Sequence, residues 1–153
     1  MKHEGMVHAL EEIHRLLKPG GRLIDIHPVL EVPLIKVFQG GRVLFAEPDP
    51  GYDNYKEDVR QAEDALAQIV RRRLFVIERS GEFDFLTYGS SVAELRDFMA
   101  KAGACDDSPQ DEAVVAREAE LYARVEEIMK AAGERAEVAD HERGRIARLR
   151  PMR

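Results

Sequence analysis

A chain of 153 residues, 44% of them hydrophobic, is long enough to build the core of one domain. The net charge of −6 and a pI near 5.4 exclude a generally basic surface, so we expect no nucleic-acid partner. The single cysteine excludes an internal disulfide, and no stretch of about twenty apolar residues is present to cross a membrane. These features predict one cytoplasmic domain over residues 1–153 with no membrane partner.

Two short basic segments and the cysteine need separate interpretation. Arg71–Arg73 and Arg143–Arg153 are interpreted as a solvated helix end and a solvated strand face. Cys105 lies beside Asp106 and Asp107, whose negative charges disfavour a thiolate. We therefore expect an unreactive thiol.

The most informative stretch runs from Gly5 to Pro28. Its first half repeats apolar residues at helical spacing: Met6, Leu10, Ile13 and Leu17. This spacing predicts a helix over 6–18, which Pro19 cannot continue and after which Gly20-Gly21 can reverse the chain. The β-branched run that follows predicts a strand over 22–27.

Two β-hairpins are predicted further along the chain, because in each case two apolar runs flank a short segment that contains glycine. The first hairpin pairs 34–38 with 42–47 around Gln39-Gly40-Gly41. The second pairs 74–78 with 83–88 around Arg79-Ser-Gly-Glu82.

A second helix is predicted over 53–73, with Asp53 or Asn54 as its cap. A short third helix begins at Ser90 or Ser91, with Glu94 at capping-box distance.

The rest of the chain is predicted to contain one long helix and one long strand. Alanine, glutamate and a narrow apolar stripe predict the fourth helix over 111–132, ended by Gly133. Residues 138–149 alternate charged residues with small or apolar ones, and this pattern predicts a mostly exposed terminal strand.

Residues 9–28 resemble the segment of class I S-adenosylmethionine-dependent methyltransferases in which the fourth crossover helix ends at an LKPGG turn and enters the fifth strand. Here that turn is Leu17–Gly21. The resemblance implies an α/β fold: a partial Rossmann-like methyltransferase sheet with β-hairpins and about four helices. In the family, a helix and an antiparallel pair of strands follow the fifth strand. This chain departs from that order by a hairpin at 34–47 and a long helix at 111–132.

In that family a glycine-rich loop after the first strand cradles S-adenosylmethionine, and an acidic residue after the second strand binds its ribose. Both features would lie upstream of Met1. The resemblance therefore implies the C-terminal half of the fold. This chain alone would hold no cofactor, and S-adenosylmethionine would bind only if a missing half completed the domain.

The resemblance also implies that strand 22–27 is interior in a complete domain, with the fourth strand paired along one side. Without that neighbour we expect an unpaired edge, which is costly to leave bare and recruits other strands. The terminal strand could cover it, a second copy could pair with it in a homodimer, or a separate polypeptide could do so.

Four side chains are candidates for a functional site. His27 ends the first strand, where open α/β sheets place their ligands, and the resemblance implies that it faces the methyl acceptor as a general base or binding residue. The alternative is a histidine hydrogen-bonded to a neighbouring loop. Asp25 could face a partner or a salt bridge. Tyr52 and Tyr55 could line an acceptor pocket or simply staple a helix.

No metal site is predicted. His3, His8 and His14 are separated by five and six residues, so a helix would place them on different faces. The two glycine pairs lack the spacing of phosphate-binding loops and are interpreted as turns.

Two functions follow as hypotheses. The first is a truncated methyltransferase-like protein that acts as an oligomeric interaction or regulatory module. The second is the acceptor-side part of an active methyltransferase whose N-terminal half is supplied in trans or lost upstream. A small-molecule-binding domain is a third possibility, which depends on fold analogy alone.

Overall fold

A computed structural model describes residues 3–103 and 109–153. In this part of the chain the fold is α/β with four α-helices, as the fold-class prediction expected, and its five-stranded open sheet is antiparallel. The helices are α1 His3–Leu16, α2 Lys56–Arg71, α3 Val92–Ala102 and α4 Glu112–Ala132. The strands are β1 Leu23–Pro28, β2 Leu34–Gln39, β3 Arg42–Pro48, β4 Phe75–Gly89 and β5 Ala136–Pro151.

The chain divides into two compact units. Unit 1 consists of 1–31, 55–84 and 143–153, and unit 2 consists of 32–54 and 85–142. The long strands β4 and β5 each contribute residues to both units. None of the helices in the described residues is long and apolar enough to cross a membrane.

Unit 1 is built on an antiparallel ladder between β1 and the C-terminal part of β5. Leu23 pairs with Leu149, and the register continues without a break to Pro28 and Gly144. Side chains from α1, α2, β4 and β5 form one apolar core beside this ladder. Its buried members are Val7, Ala65, Leu66, Ile69, Phe75, Ala147 and Leu149.

The turn between α1 and β1 forms as the sequence predicts. Gly20 adopts a left-handed φ of 84°, which a side chain would oppose, and the Gly21 amide donates to the Lys18 carbonyl at 2.9 Å. The end of α2 also has a residue with a left-handed φ, Arg73 at 59°, although a side chain disfavours this conformation. Leu74 there donates back to the Ile69 carbonyl at 3.0 Å, as in a Schellman motif.

Unit 2 contains the predicted hairpin of β2 and β3, and β2 also pairs with the N-terminal part of β5. Gly40 and Gly41 both have a positive φ, which is the requirement of a two-residue hairpin turn. Helices α3 and α4 pack on these strands. The buried core is Ile35, Val37, Val92, Leu95, Leu121, Tyr122, Val125, Ala136 and Val138.

The predicted cap of α3 and the predicted end of α4 are confirmed. The Ser91 hydroxyl accepts from the Glu94 amide at 3.1 Å, and the Glu94 carboxylate accepts from the Ser90 amide at 2.8 Å. Asp111 accepts from the Ala113 amide at 2.8 Å, and α4 ends before Gly133, whose φ is 93°.

The second hairpin prediction is wrong. Residues 79–82 do not turn but lie inside β4, which runs from Phe75 to Gly89 and pairs with β5. Gly81 does not take a positive φ, and Glu78 and Glu82 are held by arginines of β5. Pairing along the length of a neighbouring strand therefore overrides a weak local turn signal.

Three further expectations are corrected or fall outside the described part. A 3-10 helix, Pro50–Asn54, precedes α2, whose N-cap is Tyr55 without a side-chain bond, so Asp53 and Asn54 do not cap it. The terminal strand is not mostly exposed, because half of β5 is buried through alternating small and apolar residues. Cys105 lies outside the described residues.

Candidate functional site

The candidate site in unit 1 is formed by Asp25, His27, Glu63 and Arg145, here named the His27 cluster. Asp25 and His27 are two residues apart on β1, so the pleat directs both side chains to the same face. Arg145 is directly opposite His27 on β5, and Glu63 comes from α2. The His27 side chain is only 10% exposed.

Both ring nitrogens of His27 face carboxylate oxygens. Nδ1 lies 2.5 Å from Asp25 Oδ2, and Nε2 lies 3.3 Å from Glu63 Oε1. A carboxylate only accepts hydrogen bonds, so both nitrogens must carry protons for both contacts to form, and the ring is then an imidazolium. The hydrogen bond to Asp25 is the main cause that raises the pKa of His27, and burial opposes it.

Arg145 completes the charge balance of the cluster. Its guanidinium lies 3.5 Å from Glu63 and 3.4 Å from Glu82 of β4. Glu63 is therefore shared between two cations, His27 and Arg145. Asp25, in contrast, is paired with one cation, His27, among the described residues. These ion pairs join three strands and α2.

The protonated form limits what His27 can do chemically. An imidazolium that donates from both nitrogens has no lone pair with which to accept a proton, so a general base at this position needs the less favoured neutral form. The same geometry suits a proton donor or a fixed positive charge. It equally suits a structural clamp between β1 and α2.

The two tyrosines of the sequence prediction fall in different units. Tyr52 belongs to unit 2, where it lies in the 3-10 helix and is 7% exposed. Tyr55 belongs to unit 1, at the N-terminus of α2. Burial leaves little of the Tyr52 surface for an acceptor molecule.

The histidines of α1 make separate contacts. His8 lies 3.8 Å from Glu11, whereas His14 Nε2 donates to the Met152 carbonyl at 2.8 Å and its ring meets Phe75 edge-on at 5.3 Å. Among residues 3–103 and 109–153, no three histidine, cysteine, aspartate or glutamate side chains are placed to hold a metal ion.

Unit 2 contains a second set of buried ionisable groups, which includes Asp49, Glu118, Tyr122 and Asp140. Asp49 accepts from the Gly51 amide at 2.9 Å, but burial still raises its pKa. Burial and the charge of Asp49 raise the pKa of Glu118, and burial is also the main cause that raises the pKa of Tyr122.

Asp140 is the most constrained of these groups. It is 3% exposed, pairs with Ile35 across the β2–β5 ladder, and its Oδ1 has no hydrogen-bond partner among the described residues. Burial, followed by the charges of Glu142 and Asp49, raises the pKa of Asp140 to about 7. A neutral carboxyl group avoids most of the cost of burying a charge.

Sequence reasoning named His27 and Asp25 but missed their partners. An aspartate two residues before a histidine on a strand is a usable signal, since the side-chain period of a strand is two. Glu63 and Arg145 are 36 and 118 residues away from His27, and no local pattern connects them. The burial of Asp140 was missed because its strand was expected to be exposed.

Comparison with known proteins gives no functional assignment for this chain, so its function is inferred from the geometry and the sequence pattern. No protein-family model matches the chain, and neither a curated protein nor a solved structure matches it.

We expect the stability of unit 1 to depend on pH through His27. A histidine whose folded pKa is raised stabilises the native state fully below the unfolded value of 6.5, and this contribution is lost as the pH rises through the folded pKa. His27→Gln should lower the free energy of unfolding at pH 6 by about 1–3 kcal/mol, because it leaves carboxylates poorly paired. Urea unfolding from pH 5 to pH 9 measures this.

The matched control is His8→Gln, which changes an exposed histidine of α1. It should leave the profile unchanged. Parallel pH profiles of the wild type and His27→Gln would show that the imidazolium is not formed in the native state.

Asp140→Asn should stabilise unit 2 at neutral and higher pH. Because the folded pKa of Asp140 lies near 7 and the unfolded value is 3.8, the native state loses stability between these pH values, where the carboxyl group ionises in the unfolded chain but stays protonated in the folded one. An uncharged amide removes this loss, so the variant should gain up to about 4 kcal/mol at pH 8 and little at pH 4. Asp97→Asn, an exposed matched change, should have no such effect. Equal stability of wild type and Asp140→Asn at pH 8 would contradict the assignment.

Proposed function

We propose that this chain is the C-terminal half of a Rossmann-like methyltransferase fold and acts as an interaction module that forms a homodimer through β1. Four observations support the proposal. They are the order of elements in unit 1, the grouping of the departures from the family in unit 2, the free edge of β1, and the apolar face beside that edge.

The order of elements in unit 1 agrees with what the resemblance implies. Helix α1 ends at the Leu17–Gly21 turn, β1 follows, and α2 comes before the antiparallel partners β4 and β5. The family order is the same: a crossover helix, the fifth strand, a helix and an antiparallel pair.

The departures from the family order fall together in the other unit. The hairpin over 34–47 and the long helix predicted over 111–132, observed as β2, β3 and α4, all belong to unit 2. Their removal leaves the segments of unit 1 that carry the resemblance.

The observation that carries the proposed association is the edge of β1. Among the described residues β1 pairs with β5 alone, and it stands at one end of the strand order. Its second edge therefore has no strand partner among the described residues of this copy, and unpaired amides and carbonyls at such an edge are a template for another strand.

The face beside this edge is unusually apolar for an exposed surface. Ile24 and Ile26 are 52% and 62% exposed, and Ile146, which pairs with Ile26 across the ladder, is 42% exposed. We name these three residues the open face of unit 1. A second copy that pairs with β1 would cover part of it and gain apolar burial in addition to backbone hydrogen bonds.

Association is tested by placing a charge on the open face. Ile26→Lys should raise the dissociation constant of the dimer at least about tenfold, which corresponds to roughly 1.4 kcal/mol, because lysine opposes edge-to-edge pairing. Size-exclusion chromatography with light scattering over a range of micromolar concentrations measures the dimer fraction.

Leu16→Lys is the matched control, since Leu16 is 66% exposed at the end of α1. It should leave the dimer fraction unchanged. A wild-type chain that is monomeric over the whole concentration range would overturn the homodimer.

The second candidate function is the acceptor side of an active methyltransferase completed by a half supplied in trans. The His27 cluster favours it, because His27 lies at the carboxyl end of β1, where the resemblance places residues that face the methyl acceptor. In that case His27 would hold a positive charge against the acceptor or donate a proton to it.

Calorimetric titration of S-adenosylmethionine into the chain alone separates the two functions. The interaction module should give no saturable heat, because the sequence contains no glycine-rich loop after a first strand to cradle the cofactor. Saturable micromolar binding to this chain would overturn that proposal and favour an enzyme. A thermal shift with the same ligand provides an independent readout of binding.

A further inference from the structure

Beyond association, the open face carries a groove with its own chemistry. The groove has a volume of about 400 Å³ and is lined by Ile24, Arg79, Ser80, Gly81, Ile146 and Arg148. We name it the Arg79 groove. Its floor comes from two exposed isoleucines of adjacent strands, and its walls carry two guanidinium groups. A Cβ built on Gly81 would meet no atom within 4 Å, so the groove is open on that side.

The charge around this groove is unbalanced. Arg22, Arg148 and Arg150 each direct Nε at the Glu78 carboxylate, at 2.9, 3.1 and 3.2 Å. One carboxylate therefore serves three guanidinium groups. The surplus is local and positive, although the whole chain has a net charge of −6.

Arg79 adds to this surplus. Among the described residues no carboxylate lies within ion-pair distance of its guanidinium, whereas Arg148 at least shares Glu78. Arg79 and Arg148 thus line the same groove. Among the described residues, the one carboxylate paired with either of them is Glu78, which Arg148 shares with Arg22 and Arg150. Guanidinium groups in this setting bind carboxylates and phosphates well, because they donate several hydrogen bonds in a planar fork.

We propose that the Arg79 groove binds a small amphipathic anion, with its carboxylate or phosphate head on Arg79 and Arg148 and its apolar chain on Ile24 and Ile146. The volume lies within the range of small-molecule pockets, roughly 300–1,000 Å³. The combination of an apolar floor and a few convergent polar groups is typical of such sites. The groove is complete within one copy, so the proposal does not depend on association through β1.

The test titrates octanoate into the ¹⁵N-labelled full chain and follows amide chemical shifts. Octanoate should give saturable shifts centred on Ser80, Gly81 and Ile146. Octylammonium, which has the same chain and the opposite charge, should not. Inorganic phosphate should bind at least about tenfold more weakly than octyl phosphate, because it lacks the apolar chain, and comparison of octanoate with octyl phosphate identifies the preferred head group.

The variant Arg79→Gln/Arg148→Gln should weaken octanoate binding at least about tenfold. Arg71→Gln/Arg73→Gln makes the same change in net charge at the end of α2 and should leave the affinity within about twofold. If the double variant does not fold, Arg79→Gln alone preserves the Glu78 contacts and should still weaken binding.

Three results would overturn the proposal: no saturable shift with either octanoate or octyl phosphate in both the wild type and the Ile26→Lys variant, equal binding of octanoate and octylammonium, or equal affinity of the two arginine double variants. The Ile26→Lys background separates this site from the dimer. Binding that is seen only in that background would support the groove and show that a second copy covers it. Binding that is unchanged there would support a groove outside the dimer contact.

Discussion

The register between β1 and the C-terminal part of β5 is the constraint on which the chemistry of unit 1 depends. Because successive side chains of a strand point to opposite faces, one register fixes two surfaces at once. Leu23 with Leu149 and His27 with Arg145 lie on the core side, whereas Ile26 with Ile146 lies on the other. A slip of one residue would expose the core leucines and bury the isoleucines instead.

The two surfaces differ in how their charges are balanced, and the difference follows from burial. On the core side the His27 cluster sets two carboxylates against two cations, around a histidine side chain that is only 10% exposed. On the side of the sheet that carries the open face, three arginines converge on Glu78, and water can solvate the excess. Of these two surfaces of unit 1, the exposed one therefore has the excess of positive charge. This contrast is the reason for placing a binding site on the open face and a clamp on the core side.

The sequence predicted elements well where the determining residues are neighbours in the chain. Gly40-Gly41, Gly20 and the Ser91 cap each act within a few residues, and each was found as expected. The prediction failed over 79–82, where pairing of β4 with β5 outweighed a local turn signal. Half of the candidate site could likewise not be predicted, because Glu63 and Arg145 are far from His27 in the sequence and come close to it only in the folded chain.

The two units respond to pH in the same direction although their ionisable groups differ. Protonated His27 in unit 1 stabilises the native state fully below pH 6.5, and Asp140 in unit 2 lowers stability increasingly from pH 3.8 up to about pH 7. Exposed carboxylates act in the opposite sense: the bond from Arg22 holds the pKa of Glu78 below its usual 4.5, so its contribution is lost in acid. Glu78 and His27 both contribute fully between about pH 4.5 and 6.5, whereas the loss caused by Asp140 grows across that range and is complete only above about pH 7. Above that range both buried sites lose the protons that their surroundings require, one as a cation on β1 and the other as a neutral acid on β5.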